Sequence, residues 1–85
     1  MTTENLIRFY GVNWCGDCKR SKRVFSDTQV PYVYYDLDEN PRAVEFVKSV
    51  NQGMRRVPTI VFPDGSMLVE PSDGVLRTKL QEFQR

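Results

Sequence analysis

Leu6-Ile7-Arg8-Phe9-Tyr10-Gly11-Val12-Asn13-Trp14-Cys15-Gly16-Asp17-Cys18 is the stretch from which the fold of this chain can be read. Its first part, Asn5 to Tyr10, is nearly continuous in apolar residues and broken by Arg8, as in a strand covered on both faces. Gly11-Val12-Asn13 reads as the loop that delivers the two cysteines. From about Gly16 to about Thr28, Cys18, Ser21 and Phe25 recur at helical spacing, so one stripe turns inward and carries Cys18 with it. Lys19, Arg20, Lys22 and Arg23 fall on the other faces, a basic cluster that reads as solvated surface.

Two cysteines separated by two residues, at a strand-to-helix turn, point to thiol–disulfide chemistry. Cys15 falls at the helix N-terminus, where unpaired backbone N–H groups and aligned peptide dipoles favour a negative charge. The thiolate is the nucleophile, so Cys15 is expected to attack. Cys18 lies one turn further in and is expected to resolve the resulting adduct. A structural zinc site needs about four ligands. The chain has two cysteines and no histidine, so metal binding would need carboxylates or a second subunit. No metal site is expected.

Outward from the motif, Pro31 opens a second strand, Tyr32 to Leu37, rich in aromatic and β-branched residues. Tyr32, Tyr34 and Tyr35 read as sheet packing. Asp38-Glu39-Asn40 is a turn. Asn40 caps a second helix that starts at Pro41 and runs to about Val50 with Ala43, Phe46, Val47 and Val50 on one face. Asn51-Gln52-Gly53 ends it. Met54 to Pro58 is a loop, Thr59 to Phe62 a short strand, and Pro63-Asp64-Gly65-Ser66 a tight turn into a fourth strand, Met67 to Glu70. Ser72 or Asp73 caps the last helix, which runs to about Gln84 with Leu76, Leu80 and Phe83 inward. The order is β-α-β-α-β-β-α. The first two strands should be parallel with a right-handed crossover, and the last two form a hairpin. The expected fold class is α/β, a four-stranded mixed sheet flanked by three helices in one domain over residues 1–85.

Composition narrows the function classes. A chain of 85 residues holds one modest core, and a net charge of +1 gives no reason to expect nucleic acid or membrane as partner. Met1 to Asn5 is polar and acidic, unlike a secretory leader, and no run is long enough to span a bilayer. One cysteine pair without a leader fits the reducing cytoplasm.

The element order, Trp14-Cys15-Gly16-x-Cys18 at the first strand–helix junction and Val57-Pro58 before the third strand together resemble the glutaredoxin branch of the thioredoxin superfamily. Thioredoxins themselves carry an extra N-terminal strand and helix, for which this chain has no room. Within that branch the chain looks most like the mycoredoxins of actinobacteria. The residues that carry this are Trp14-Cys15-Gly16-x-Cys18, the helix Glu45 to Asn51, Val57-Pro58-Thr59, Asp64-Gly65-Ser66-x-Leu68 and Pro71-Ser72.

The resemblance implies an enzyme that reduces mixed disulfides between proteins and a low-molecular-weight thiol, without a tightly bound cofactor. In mycoredoxins that thiol is mycothiol, and in most other glutaredoxins it is glutathione. It implies a cis Val57-Pro58 bond whose Val57 backbone meets an extended thiol peptide. It also implies that Arg55, in Gly53-x-Arg55-x-Val57-Pro58, pairs with a carboxylate or polar group of the thiol or of a partner, while Ser72 and Asp73 at the start of the last helix read either as a polar binding surface or as simple capping.

Trp14 is expected as an exposed aromatic wall beside the nucleophile. Asp17 replaces the residues usual between the two cysteines and is expected to bear on the thiolate as a like charge, or else to serve as a first-turn acid. The chain lacks the paired glycines and the preceding lysine of glutathione users, having Glu70 to Gly74 and Gly11-Val12 there, which favours mycothiol.

Two other functions fit parts of the pattern. One is a dithiol redoxin recharged by thioredoxin reductase, a flavin disulfide reductase, and feeding ribonucleotide reductase or a peroxidase. The other is an iron–sulfur or metal carrier. A monomer is expected, since a redoxin must expose its site to many partners.

Overall fold

The computed structural model describes residues 5–84. Seven elements follow one another: β1 (Ile7–Gly11), α1 (Gly16–Thr28), β2 (Tyr32–Asp36), α2 (Pro41–Val50), β3 (Thr59–Val61), β4 (Met67–Val69) and α3 (Asp73–Phe83). The strands form one mixed sheet in the order β2-β1-β3-β4. β1 is parallel to β2, with Ile7 opposite Tyr32 and Gly11 opposite Asp36. It is antiparallel to β3, which is antiparallel to β4.

Strand alternation divides the core in two. Ile7, Phe9, Ile60 and Phe62 face α1 and α3, packing with Cys18, Val24, Phe25, Leu76 and Leu80. Tyr10 and Val61 face α2 and pack with Val12, Leu37, Ala43 and Val47. Arg8 shares that second face: its guanidinium donates to the Tyr10 hydroxyl at 3.0 Å and lies over the Phe46 ring. The one polar residue in the β1 run is thus accommodated by an aromatic surface.

The local signals act as expected at the helix starts. Asn40 and Ser72 accept hydrogen bonds from Ala43 N–H and Val75 N–H, and Pro41 opens α2. Gly65 donates to the Phe62 carbonyl at 2.9 Å, placing Pro63 second in the turn.

Three expectations need correction. β1 begins at Ile7, not Asn5, and extends to Gly11, which the sequence reading had assigned to a loop. The other three strands each end one residue early, at Asp36, Val61 and Val69, although Leu37 N–H still donates to the Gly11 carbonyl at 2.9 Å. Phe83 is not inward. It is 38% exposed at the end of α3, its ring edge-on to Phe62 with centroids 5.9 Å apart.

Candidate active site

Cys15 is the N-cap of α1, in an extended conformation with φ −87° and ψ 125°. A serine or aspartate there would fold back onto the first-turn amides. The Cys15 side chain makes no such capping bond. Cys15 is partly exposed at the helix start. Cys18, one turn later, is 0% exposed, and both cysteines are free thiols.

The burial of Cys18 depends on Gly11. A Cβ on Gly11 would stand 2.8 Å from Cys18 Sγ and 2.9 Å from Phe9 Cε1, closer than carbon atoms pack. Glycine is needed here for close approach, since α1 lies against the end of β1 at this point. Burial pushes the Cys18 thiol up to about 11; the Val12 amide opposes this, and the neighbouring Cys15 adds to it. Cys18 therefore holds its proton in neutral solution.

Trp14 is 71% exposed, as expected of an aromatic wall. Its indole N–H donates to Asp38 Oδ2 at 2.8 Å. The other Asp38 oxygen faces Arg55 Nη2 at 3.7 Å. Asp38 thus joins the motif to the loop before Pro58. It is itself held by Asp36, whose Oδ1 accepts from Asp38 N–H at 2.9 Å and whose Oδ2 accepts from Asn13 Nδ2 at 3.2 Å. Asn13 Oδ1 in turn accepts from Lys22 Nζ at 3.2 Å and from the Tyr34 hydroxyl at 3.0 Å. Lys22 also lies 3.6 Å over the Tyr34 ring. Tyr34 is pushed up to about 12, first by burial and then by Asp36.

Val57-Pro58 is cis, as the resemblance implied. Among the described residues neither Val57 N–H nor its carbonyl has a hydrogen-bond partner, whereas the Pro58 carbonyl accepts from Glu70 N–H at 2.8 Å. The loop is shaped from inside. Buried Asn51 donates to the Val47 carbonyl at 2.9 Å and to Thr59 Oγ1 at 3.3 Å, and Thr59 Oγ1 donates to the Arg56 carbonyl at 2.7 Å.

Asp17 pairs with Arg20 along the first turn of α1, so its carboxylate is engaged with a cation. Arg56 pairs with Glu70 at 3.2 Å. The Ser72 hydroxyl accepts from Val75 N–H at 3.2 Å, so it acts as a cap, and Asp73 is an exposed first-turn acid. Neither is hydrogen-bonded to Trp14, Cys15 or Arg55 among the described residues. No cluster suited to holding a metal ion occurs among the described residues, and no helix among them is long and apolar enough to cross a membrane.

Sequence reasoning missed Asp38, Asp36 and Asn13, and read Gly11 and Asn51 only as breakers. One signal was available. In a parallel β1–β2 pair the carboxyl ends of both strands lie side by side, so two aspartates closing β2 must border the loop that follows β1.

A model of the glutaredoxin family matches residues 7–67. Rv3198A of Mycobacterium tuberculosis, provisionally named a glutaredoxin, is 42% identical over 74 residues, covering 87% of this chain and 88% of that protein. Mycoredoxin 1 of Corynebacterium glutamicum is 31% identical over 75 residues, covering 88% and 92%. The crystal structure of a glutaredoxin from Archaeoglobus fulgidus has the same thioredoxin-like fold, with a TM-score of 0.72 at 23% identity, covering 95% of this chain and 87% of that one.

Proposed function

The chain belongs to the glutaredoxin family, is mycoredoxin-like and is a thiol–disulfide oxidoreductase; from that premise we propose that Cys15 takes a mycothiol adduct from proteins and that Cys18 stands behind it as resolving thiol. The family acts on protein disulfides with a low-molecular-weight thiol. The observation that carries the assignment of roles is the contrast between the two sulfurs. Cys15 is accessible at a helix N-terminus, and Cys18 is buried and protonated.

Cys15 thiolate attacks the small-thiol sulfur of a protein mixed disulfide. A Cys15–small-thiol disulfide forms, and the protein thiolate leaves and takes a proton. A second small thiol then attacks, releasing the small-thiol disulfide and restoring Cys15. Alternatively Cys18 loses its proton and closes Cys15–Cys18, releasing the small thiol. Trp14 and the unpaired Val57 backbone groups flank the incoming disulfide, Val57 pairing with an extended substrate as an added strand would. Arg55 and Asp17 border the same face, and Ser72 and Asp73 offer a helix N-terminus to the polar end of the thiol.

Mycothiol is preferred to glutathione on three grounds: the likeness to mycoredoxin 1, the missing paired glycines, and the missing lysine before the motif. We place the activity in the cytoplasm, with the chain acting as a monomer.

The test uses Cys18→Ser mixed with protein substrates carrying either adduct, read by intact mass. A mycothiol adduct on Cys15 with release of reduced substrate is expected. A glutathione adduct alone would keep the mechanism and remove mycothiol. No adduct from either would favour a dithiol redoxin recharged by a flavin disulfide reductase.

A further inference from the structure

Three guanidinium groups of the motif helix and the proline loop each face a carboxylate: Arg20 faces Asp17, Arg55 faces Asp38 and Arg56 faces Glu70. Of these pairs, only Arg55–Asp38 is also bound to the residue before the nucleophile, through the Trp14 indole. Asp38 is shared between two side chains. One oxygen takes the indole N–H at 2.8 Å, the other meets Arg55 at 3.7 Å, and its own N–H is fixed by Asp36. Arg55 is thereby tied to the residue beside Cys15, where a carboxylate of a small thiol would meet it, and Asp38 offsets part of its charge.

We propose that Asp38 is a specificity-determining residue, which by occupying Arg55 selects an uncharged small thiol over one bearing carboxylates. The proposal rests on the reading of Cys15 as carrier of a small-thiol adduct. An anionic thiol reaching Arg55 must displace Asp38. It also brings its own charge beside that carboxylate, whose remaining partner is the neutral Trp14 indole, and both effects disfavour the anionic ligand. An uncharged thiol meets neither penalty. Asp38 acts through Arg55 and Trp14 and does not touch the reacting sulfurs.

The step that reports this is adduct formation on the Cys18→Ser chain. Cys15 thiolate attacks one sulfur of a symmetrical disulfide, a Cys15 mixed disulfide forms, and one small thiolate leaves. The two probes are N-acetylated oxidised glutathione, with two carboxylates in each half, and the same N-acetylated disulfide with those carboxylates esterified, which is uncharged. Rates are read by intact mass at low salt. Asp38→Asn removes the charge but keeps an acceptor for the indole. It is expected to raise the ratio of the glutathione rate to the ester rate about two- to fivefold, the range of one exposed ion pair. The gain should shrink in high salt.

Adding Arg55→Gln should return the ratio to its starting value. The emission of Trp14, the only tryptophan, should hold in Asp38→Asn and shift in Asp38→Ala, a signature that simple destabilisation would not give. An unchanged or lowered ratio in Asp38→Asn overturns the proposal, as does a raised ratio that survives Arg55→Gln. A parent chain that takes an adduct from neither probe but does from oxidised mycothiol overturns the proposal alone, since the uncharged probe is then not favoured; one that takes no adduct from any of the three overturns the small-thiol reading, and the proposal falls with it.

Discussion

Two regions meet at the cysteine pair and are built by different rules. The inner one is Gly11, Phe9 and Cys18, with Thr59 and Asn51 nearby. All are buried, and their positions are fixed by contact distances that leave no room for another atom on Gly11. The outer one is Trp14, Asp17, Asp38, Arg55 and Arg56, all partly or fully exposed and held by single hydrogen bonds or ion pairs. The contrast shows where each kind of information lies. Sterics in the inner region decide which sulfur is accessible, and the weak polar contacts of the outer region are where we propose that the preference among small thiols is set. Changes to the first should cost stability, and changes to the second should alter selectivity and leave the fold intact.

The largest effect expected is at the boundary between them. Cys15→Ser should abolish adduct formation and turnover, whereas Cys18→Ser should still accept an adduct. Mass spectrometry after alkylation checks the same asymmetry in the parent chain: iodoacetamide at neutral pH should label Cys15 well before Cys18. Equal labelling would erase the distinction between inner and outer sulfur.

Next comes Gly11→Ala, which forces a methyl group against Cys18 Sγ and Phe9. Overpacking of this kind costs about 1–3 kcal/mol, measurable by urea unfolding. Pairing it with Cys18→Ala should recover only part of the loss, since the Phe9 contact remains.

A third test is pH. The Cys18 thiol titrates near 9.0 in the unfolded chain and about 11 in the fold. The folded state holds the proton more tightly, so its stabilising contribution is complete below about pH 9 and is lost as pH rises through about 11. Buried Tyr10 and half-buried Tyr32 and Tyr34 are also raised, by burial first, and lose stability in the same direction. The comparison should therefore be between reduced Cys15→Ser with and without Cys18→Ala. Their difference should change by up to about 2 kcal/mol between pH 8 and pH 11. A flat difference would mean Cys18 is less enclosed than its packing indicates.

A smaller loss, about 1 kcal/mol, is expected for Thr59→Val, which leaves the Arg56 carbonyl without its donor and removes one acceptor from Asn51. The smallest effect belongs to the outer region. Asp17→Asn breaks an exposed i, i+3 pair with Arg20 and should change stability by less than about 0.5 kcal/mol. A larger change there would weaken the division between the two regions.

The inner region was the more legible in the sequence, because periodicity and capping report on burial. The stripe Cys18, Ser21 and Phe25 is buried as its spacing required, and Asn40, Pro41 and Ser72 start their helices. Gly11 was misread because glycine signals a turn and a close approach equally well. The approach comes from Cys18, seven residues away and on another element. Phe83 kept helical phase with Leu76 and Leu80, but α3 ends there, past the edge of the sheet surface that covers the other two.

The outer region was mostly illegible. Trp14 and Asp38 are 24 residues apart, and no local pattern links an indole to a turn aspartate. Asp17 shows the same limit. Its neighbourhood to Cys15 in the chain suggested a like-charge effect, while in the fold its carboxylate lies against Arg20.

The sheet order has a consequence for how the molecule comes into being. β1 is central, yet it is made first, and both of its neighbours arrive later: β2 from Tyr32, β3 from Thr59. As the chain leaves the ribosome, the β1-α1-β2 unit is complete long before β3 can cover the other edge of β1. Until then Arg8, Phe9 and Tyr10 present an unpaired edge, a template for another nascent chain. The β1–β3 pairing spans about fifty residues, so closure of the sheet should be slow compared with formation of the helices. It also brings the Val57-Pro58 loop up to the motif. A chain released before β3 would carry both cysteines and no finished site around them.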